Sequence, residues 1–441
     1  MLLYKRLISL WVFLLLGASL CSRAAEVLSA ETFDGDGDVR VLAVDNFAKG
    51  ADLSVLKKIE DSGGIYKQDN IPRDALIIFK SHGFNWIRLR LFHTPSGEGP
   101  VCNDLGYTTA LAQRFKAQGF KFLLNFHYSD TWADPSHQET PAAWQSLSHA
   151  ELVDAVFDYT RDCIIHLRDN GAMPDMVQIG NEVICGMLWP DGETCDSGDW
   201  SNFAELVQAG IDGVEAGKGT EPMPLIMIHI DRGGDQPVTQ WFFNNFLPQG
   251  VEFDVIGQSY YPWWHGSLSE LTDNLEFMVN EYGKDIYVVE TGYNWSGTGG
   301  GPGYPYPKTP AGQKAFLDEL IQRVRNTPNN RGKGVFYWSP DWIDGDIWGA
   351  PDWSVVWEER ALFDWDGNML PGMTAFLDAI AADFNGDRVV DFIDYSELAS
   401  VWGTSSSEPG FNNIYDLYDD DEINILDLGS FSEDWLWAGG P

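Results

Sequence analysis

The sequence predicts an α/β chain: a (β/α)8 TIM barrel over residues 49–380, followed by a small α-helical module over residues 381–441. Three observations predict it. From Lys49 onward, apolar strand-like runs alternate with amphipathic helical segments, the pattern of parallel β/α units. Eight such runs occur, at 50–54, 85–92, 122–129, 176–183, 225–231, 253–261, 286–292 and 334–339, and eight strands close a barrel. Past Ala381 the composition turns acidic and a segment repeats itself. A doubly wound open sheet is the competing arrangement, but no glycine-rich phosphate loop follows the first run.

The elements ahead of the barrel concern export. Residues 1–25 carry Lys5-Arg6, an apolar run from Leu7 to Leu20 and small residues at Ala24-Ala25, the layout of a signal peptide, so a secreted, extracellular protein is expected. Leu20 is too bulky to precede a lipidated Cys21. No later segment is apolar for long enough to enter a bilayer, so no membrane insertion is expected. Residues 26–48 form an N-terminal lead-in, with Asp34-Gly35-Asp36-Gly37-Asp38 read as flexible.

Composition narrows the ligand. The formal charge of −38 becomes more negative once Lys5, Arg6 and Arg23 are removed, which excludes nucleic acid and anionic lipid as partners. With 44% apolar and 14% aromatic residues the core is ample, and 19 Trp leave indoles over for stacking on flat apolar faces such as those of sugar rings. Cys102, Cys163, Cys185 and Cys195 match no zinc spacing. Two readings stand for them: Cys185 and Cys195 staple one loop, or all four are buried thiols.

Between the strands, a helix over 72–82 is expected to open on Pro72 in its first turn. Ser148 to Glu151 forms a capping box ahead of Leu152, Val156, Tyr159 and Cys163 at helical spacing, and that helix should stop at Asn170-Gly171.

The strand ends carry the chemistry. The fourth run finishes Gln178-Ile179-Gly180-Asn181-Glu182 and the seventh finishes Val289-Glu290-Thr291-Gly292. A carboxylate at the end of a buried strand must be solvated, paired or kept protonated, and in a barrel both ends lie on the carboxyl-terminal rim where active sites are assembled. Glu182 and Glu290 are therefore the candidate catalytic pair, acting without a cofactor. Arg90, His127, Asp130, Trp132, His229, Tyr260 and Trp263 converge on the same rim and are expected to bind substrate. Arg88 and Arg90 share one strand face; Arg90 lies nearer the rim and is the expected partner holding Glu290 ionised. The segment 296–303, Ser-Gly-Thr-Gly-Gly-Gly-Pro-Gly, is expected to be a mobile loop beside the cleft.

In the tail, Asp383, Asn385, Asp387, Asp391 and Asp394 stand at positions one, three, five, nine and twelve of a loop, the oxygen spacing that Ca²⁺ requires. Asp416, Asp420, Asn424 and Asp427 repeat it, and each copy runs on to a Trp, Trp402 and Trp435. A structural Ca²⁺ is expected because so short a segment buries too little apolar surface to fold alone.

The segments Gly50-Ala51-Asp52-Leu53-Ser54, Phe126-His127-Tyr128-Ser129-Asp130-Thr131-Trp132-Ala133-Asp134-Pro135, Gln178-Ile179-Gly180-Asn181-Glu182, Gly186-Met187-Leu188-Trp189-Pro190 and Val289-Glu290-Thr291-Gly292-Tyr293 resemble the arabinogalactan endo-β-1,4-galactanases, glycosyl hydrolase family 53. The resemblance implies a secreted retaining endo-β-1,4-galactanase that acts on the β-1,4-galactan side chains of type I arabinogalactan and pectin. It makes Glu182 the acid/base and Glu290 the nucleophile, sets Asn181 to bond the sugar 2-hydroxyl and lays Trp338 under the reacting sugar. Where the family usually has Trp-Glu-Pro, this chain has Trp338-Ser339-Pro340. The tail resembles a type I dockerin, which implies a cohesin-type protein as partner, with Arg388 where loop position six is usually Gly and Tyr418 at position three of the second loop. The alternatives are a mannanase or cellulase on the same barrel, or a non-catalytic carbohydrate-binding or tethering protein.

Overall fold

The computed structural model describes residues 31–33, 39–41, 46–298, 303–351, 355–377, 382–384, 389–408, 410–418 and 420–435. The expected export segment 1–25, the aspartates of 34–38, and Asn385 and Asp387 of the first tail loop lie outside the described residues, as do residues 299–302 of the glycine-rich loop. The described residues up to Asn46 belong to one unit and those from Phe47 onward to another. The first contains a short antiparallel pair, Glu31–Phe33 with Val39–Val41.

In the second unit eight parallel strands close on themselves: β1 (Ala48–Asp52), β2 (Trp86–Leu91), β3 (Lys121–Phe126), β4 (Met176–Ile179), β5 (Leu225–Ile230), β6 (Val255–Tyr260), β7 (Asp285–Thr291) and β8 (Gly332–Tyr337). Closure comes from β8 pairing with β1, Gly334 opposite Ala48 and Tyr337 opposite Ala51. The eight expected strands are thus the eight barrel strands. Outward residues such as Ile87, Leu89, Phe122, Val177, Ile228, Ile256 and Val335 pack under the helices. A separate inner cluster, including Trp86, Leu123, Met176, Met227, Tyr287 and Phe336, plugs the lumen below the rim.

Local chemistry sets the element ends. The long helix His149–Asp169 has the capping box of Ser148 and Glu151 and stops at Asn170, with Gly171 at φ +69°. The helix expected over 72–82 is shorter: Pro72 pairs in a two-residue strand with Lys67, and the helix Ala75–Ser81 begins after Asp74, whose side chain accepts from the Leu76 amide. Proline lacks the amide a helix interior needs, but the aspartate supplies the capping oxygen, so the start moves to Asp74. All eight strands end earlier than expected, most by one or two residues and β3 and β4 by three and four. Gly180 (φ +78°), Glu182 (φ +48°) and Tyr128 (φ +50°) adopt left-handed backbone that leaves the sheet and turns the chain across the rim.

Cys185 and Cys195 form a disulfide, while Cys102 and Cys163 are free and buried. No helix among the described residues is long and apolar enough to cross a membrane. In the tail the helices Phe392–Ser400 and Ile425–Glu433 are equivalent: each is capped by the ninth loop residue, Asp391 or Asn424, and boxed by the twelfth, Asp394 or Asp427. Ala382, Val390, Leu398, Ile423 and Phe431 form their small core.

Candidate active site

A cavity of about 870 Å³ opens at the carboxyl ends of the strands and contains both Glu182 and Glu290. The route by which each carboxylate reaches it differs. Glu182 arrives through the left-handed turn that follows Gly180. Glu290 arrives through a bulge: Gln258 of β6 faces Val288, but the next residue, Ser259, faces Glu290, so β7 carries one extra residue. In a regular strand Tyr287 and Val289, both in the inner cluster, would leave Glu290 pointing at the helices. The bulge resets the alternation and turns Glu290 inward.

An oxygen of Glu182, an oxygen of Glu290 and a ring nitrogen of His229 lie within 4.8 Å of one another. This trio is a hydrogen-bond relay, because both His229 nitrogens are engaged, Nδ1 with Gln178 at 2.9 Å and Nε2 with Ser259 Oγ at 2.9 Å. Ser259 Oγ in turn donates to Glu182 Oε1 at 2.5 Å. For Ser259 to donate forward it must accept from His229, which makes the imidazole the neutral Nε2–H tautomer. Burial, with Arg88 nearby, holds the His229 pKa well below its ordinary value, consistent with that neutral form.

Glu290 is held by Arg88, whose Nη1 lies 2.8 Å from Oε1, and by Tyr261, whose hydroxyl donates to Oε2 at 3.2 Å. Arg88 also pairs with Asp52 at 3.1 Å and donates to Asn181 at 2.9 Å and Gln178 at 3.2 Å. Arg90, the expected partner of Glu290, lies instead 3.7 Å from Asp52, donates to the Pro100 carbonyl and stacks its guanidinium 4.3 Å from the Trp132 ring centre. The bulge places Glu290 at the level of Arg88, so the residue deeper in the barrel takes the pairing.

Burial raises both carboxyl pKa values, but the charges around them separate the pair. At Glu182 the negative charges of Glu290 and Asp231 add to burial and push it well above the ordinary range. At Glu290 burial is opposed by the Arg88 charge and by the hydrogen bonds from Arg88 and Tyr261. The single proton of the pair therefore belongs on Glu182, and Glu290 is the better ionised group. With Ser259 donating to Oε1, the proton is directed to Oε2.

Of the expected substrate contacts, Arg90, His127, Trp132, Asn181 and Trp338 line the cavity. Four do not. Asp130 accepts from the Thr94 and Ala142 amides and ties two loops together. His229 lies beneath the cavity in the relay. Tyr260 faces outward, stacked on Phe316, with its hydroxyl on the Gly266 carbonyl; the period of two puts Ser259 and Tyr261 inward in its place. Trp263 stacks on Tyr304 and under Arg360, and Gly303 sits close on its backbone, whereas Trp264, one step along the turn Pro262–His265, lines the cavity. Sequence reading missed Asp52, Asp231, Tyr261, Trp264 and Trp357, which also line it. Asp52 and Tyr261 were legible as inward positions by period two; Trp357 lies in the single helical turn Val355–Glu358, too short to carry a periodic signal. Asn181 donates one amide hydrogen to the Ala133 carbonyl at 2.7 Å, and its oxygen accepts from Arg88, Asn125 and Gln178.

At Trp338 the indole is almost buried and meets Trp132, Trp342 and Trp357, so the cavity has an aromatic wall beside its paired acids. Ser339 is buried and its hydroxyl has no hydrogen-bond partner among the described residues. In the tail, carboxylate oxygens of Asp416, Asp420 and Asp427 lie within 4.8 Å of one another, an all-oxygen set of the kind a hard divalent cation takes.

Residues 48–376 match glycosyl hydrolase family 53. A protein of Niallia circulans, described as an uncharacterized protein in the bgaB 5′ region, is 43% identical over 352 residues, covering 75% of this chain and 93% of that protein. The arabinogalactan endo-β-1,4-galactanase of Thermothelomyces thermophilus is 35% identical over 342 residues, 74% of this chain and 98% of that enzyme. The solved GH53 catalytic domain of Ignisphaera aggregans superposes with a TM-score of 0.69 at 36% identity, covering 80% of this chain and 99% of the domain. With its paired acids at the rim of a closed parallel barrel, and a match spanning residues 48–376, the chain is a glycoside hydrolase and belongs to glycosyl hydrolase family 53.

Proposed function

We propose that the chain is a secreted retaining endo-β-1,4-galactanase that hydrolyses the β-1,4-galactan side chains of type I arabinogalactan and pectin. The observation that carries the mechanism is the separation of the acids. One oxygen of Glu182 and one of Glu290 lie within 4.8 Å of each other, a close approach that supports the roughly 5–5.5 Å carboxyl separation of double displacement over the roughly 6.5–9.5 Å that leaves room for an inverting water. Glu290 attacks the anomeric carbon and forms a glycosyl-enzyme ester, while Glu182 protonates the departing oxygen. Glu182, now anionic, takes a proton from water as that water displaces Glu290. Trp338 supplies the apolar floor for the reacting sugar, and Asn181 offers the 2-hydroxyl the second hydrogen of its amide while the Ala133 carbonyl keeps the first. The substrate assignment rests on the galactanase named among the relatives.

The same proposal covers residues 381–441 as a dockerin-like module with structural Ca²⁺ and a cohesin-type partner. Asp416, Asp420 and Asp427, with Asn424, would hold the ion in the second loop, and Asp391 and Asp394 belong to the first. The ion would supply positive charge that closes each loop onto its helix. Supporting a docking role, each helix exposes an apolar pair just after its cap, Phe392-Ile393 and Ile425-Leu426.

A panel of polymeric β-1,4-galactan, mannan, cellulose and xylan tests the substrate. Reducing ends should appear quickly from galactan and at background rate from the others. Faster release from mannan or cellulose would replace the galactanase assignment.

A further inference from the structure

A second cavity, of about 700 Å³, lies beside the first, and Glu139 lines both. Its walls come from the segments after β3 and β4, with Trp144, Leu147 and Trp189 among the apolar residues and Gln145 and Asn202 among the polar ones. Trp144 has spent most of its surface on His93 and Tyr159 and forms a wall. Trp189 remains partly exposed and is fixed on every side. Its indole N–H donates to the Cys185 carbonyl, its amide donates to Gln138, its carbonyl accepts from Thr140, and the Cys185–Cys195 disulfide ties off the loop. A flat apolar face held this way meets a ring without losing rotamer freedom.

Three of the four carboxylates around the cavity are already engaged. Glu193 accepts from the Asp196 and Ser197 amides, Asp199 from Ser201, and Asp191 pairs with His149 at 2.6 Å. They serve loop structure, and their charge repels anionic chains such as uronates. A neutral ligand with one apolar face and many hydroxyls suits the site.

Its position adds direction. Glu182 protonates the departing oxygen, so sugars beyond the cleaved bond leave past the end of β4. The stapled loop that carries Trp189 begins three residues after Glu182, at Cys185. We propose that the second cavity is a distal subsite for the leaving-group end of a neutral β-1,4-linked sugar chain, with the Trp189 indole as its platform. The proposal rests on the hydrolase reading above and adds to it a reason for preferring long chains.

The test compares kcat/KM for polymeric galactan with kcat/KM for galactotetraose, using the full chain and two variants. Trp189→Ala removes the platform; Gln145→Trp, at an exposed position, fills the cavity without touching the loop around Glu182. The polymer-to-tetraose ratio should fall about tenfold in both. Should Trp189→Ala disturb the Glu182 loop and depress both substrates alike, the Gln145→Trp ratio decides. An unchanged ratio in Gln145→Trp overturns the subsite while leaving the galactanase reading intact. A wild-type chain inert on both substrates overturns that reading, and the subsite with it.

Discussion

The barrel and the tail each gather carboxylates within a few ångströms, and they neutralise them in opposite ways. At the rim, Glu182 and Glu290 are buried, and compensation is built in: Arg88 bridges Asp52 and Glu290 while Ser259 and Tyr261 donate to the two glutamates. In the tail, Asp416 and Asp420 are far more open, their oxygens accept backbone amides, and Arg388 is the single basic residue in the whole of 381–441. Charge that the chain compensates internally can be tuned for proton transfer. Charge that it leaves uncompensated is what the proposed Ca²⁺ would offset.

The largest effect expected from breaking the barrel side is chemical. Glu290→Gln and Glu182→Gln should each lower kcat on galactan roughly a thousandfold or more, with oligosaccharide binding largely kept, because both roles are exercised in the transition state. An activated aryl galactoside should restore much of the rate to Glu182→Gln, since a good leaving group needs no proton, and none to Glu290→Gln. Steady-state kinetics on both substrates checks this, and near-normal turnover would remove that residue from the mechanism.

Next in size is Arg88→Lys. A single ammonium cannot reproduce the fork that reaches Asp52, Glu290, Asn181 and Gln178 together, so a loss of about a hundredfold in kcat is expected. Arg88 also opposes the burial that raises the Glu290 pKa. Weakening it lets that pKa climb, so the acidic limb of the kcat/KM profile should move to higher pH; a limb that stays in place assigns it to another group.

What the sequence made legible, and what it did not, follows the same physics. Apolar alternation and helix caps are local, and they revealed eight strands, the His149–Asp169 helix and the two acidic strand ends. Which inward residue meets which depends on register across the barrel. The bulge at Val289 of β7 gave Glu290 to Arg88 rather than Arg90, and no composition signal marks it. Tyr260 was a different error: strict period two from Ser259 already points Tyr261 inward and Tyr260 out. Trp263 and Trp264 sit on one helical turn, where only packing against Tyr304 and Arg360 decides which faces the cavity.

Asp231→Asn should act more gently. The Asp231 carboxyl is pushed up to about 6 by burial, and its negative charge helps raise Glu182. Removing that charge lowers the Glu182 pKa, so the basic limb of kcat/KM should move to lower pH, by less than about one unit. A shift to higher pH would contradict the electrostatic account.

Smallest on activity is the tail. Chelation of Ca²⁺, or Asp416→Ala with Asp427→Ala, should change hydrolysis of soluble galactan by less than about twofold while reducing helicity read by circular dichroism. An equal loss of activity under both treatments would make the tail part of the catalytic unit.

The central claim is that the paired acids act by direct attack, and the stereochemistry of the first product tests it most directly. Proton NMR during the first minutes of hydrolysis of a β-1,4-galacto-oligosaccharide reads the anomer as released, before mutarotation. Double displacement through Glu290 predicts the β-anomer first, with the α-anomer growing in only as mutarotation proceeds. An initial α-anomer would mean that water attacks directly, and the mechanism assigned to Glu182 and Glu290 would be wrong.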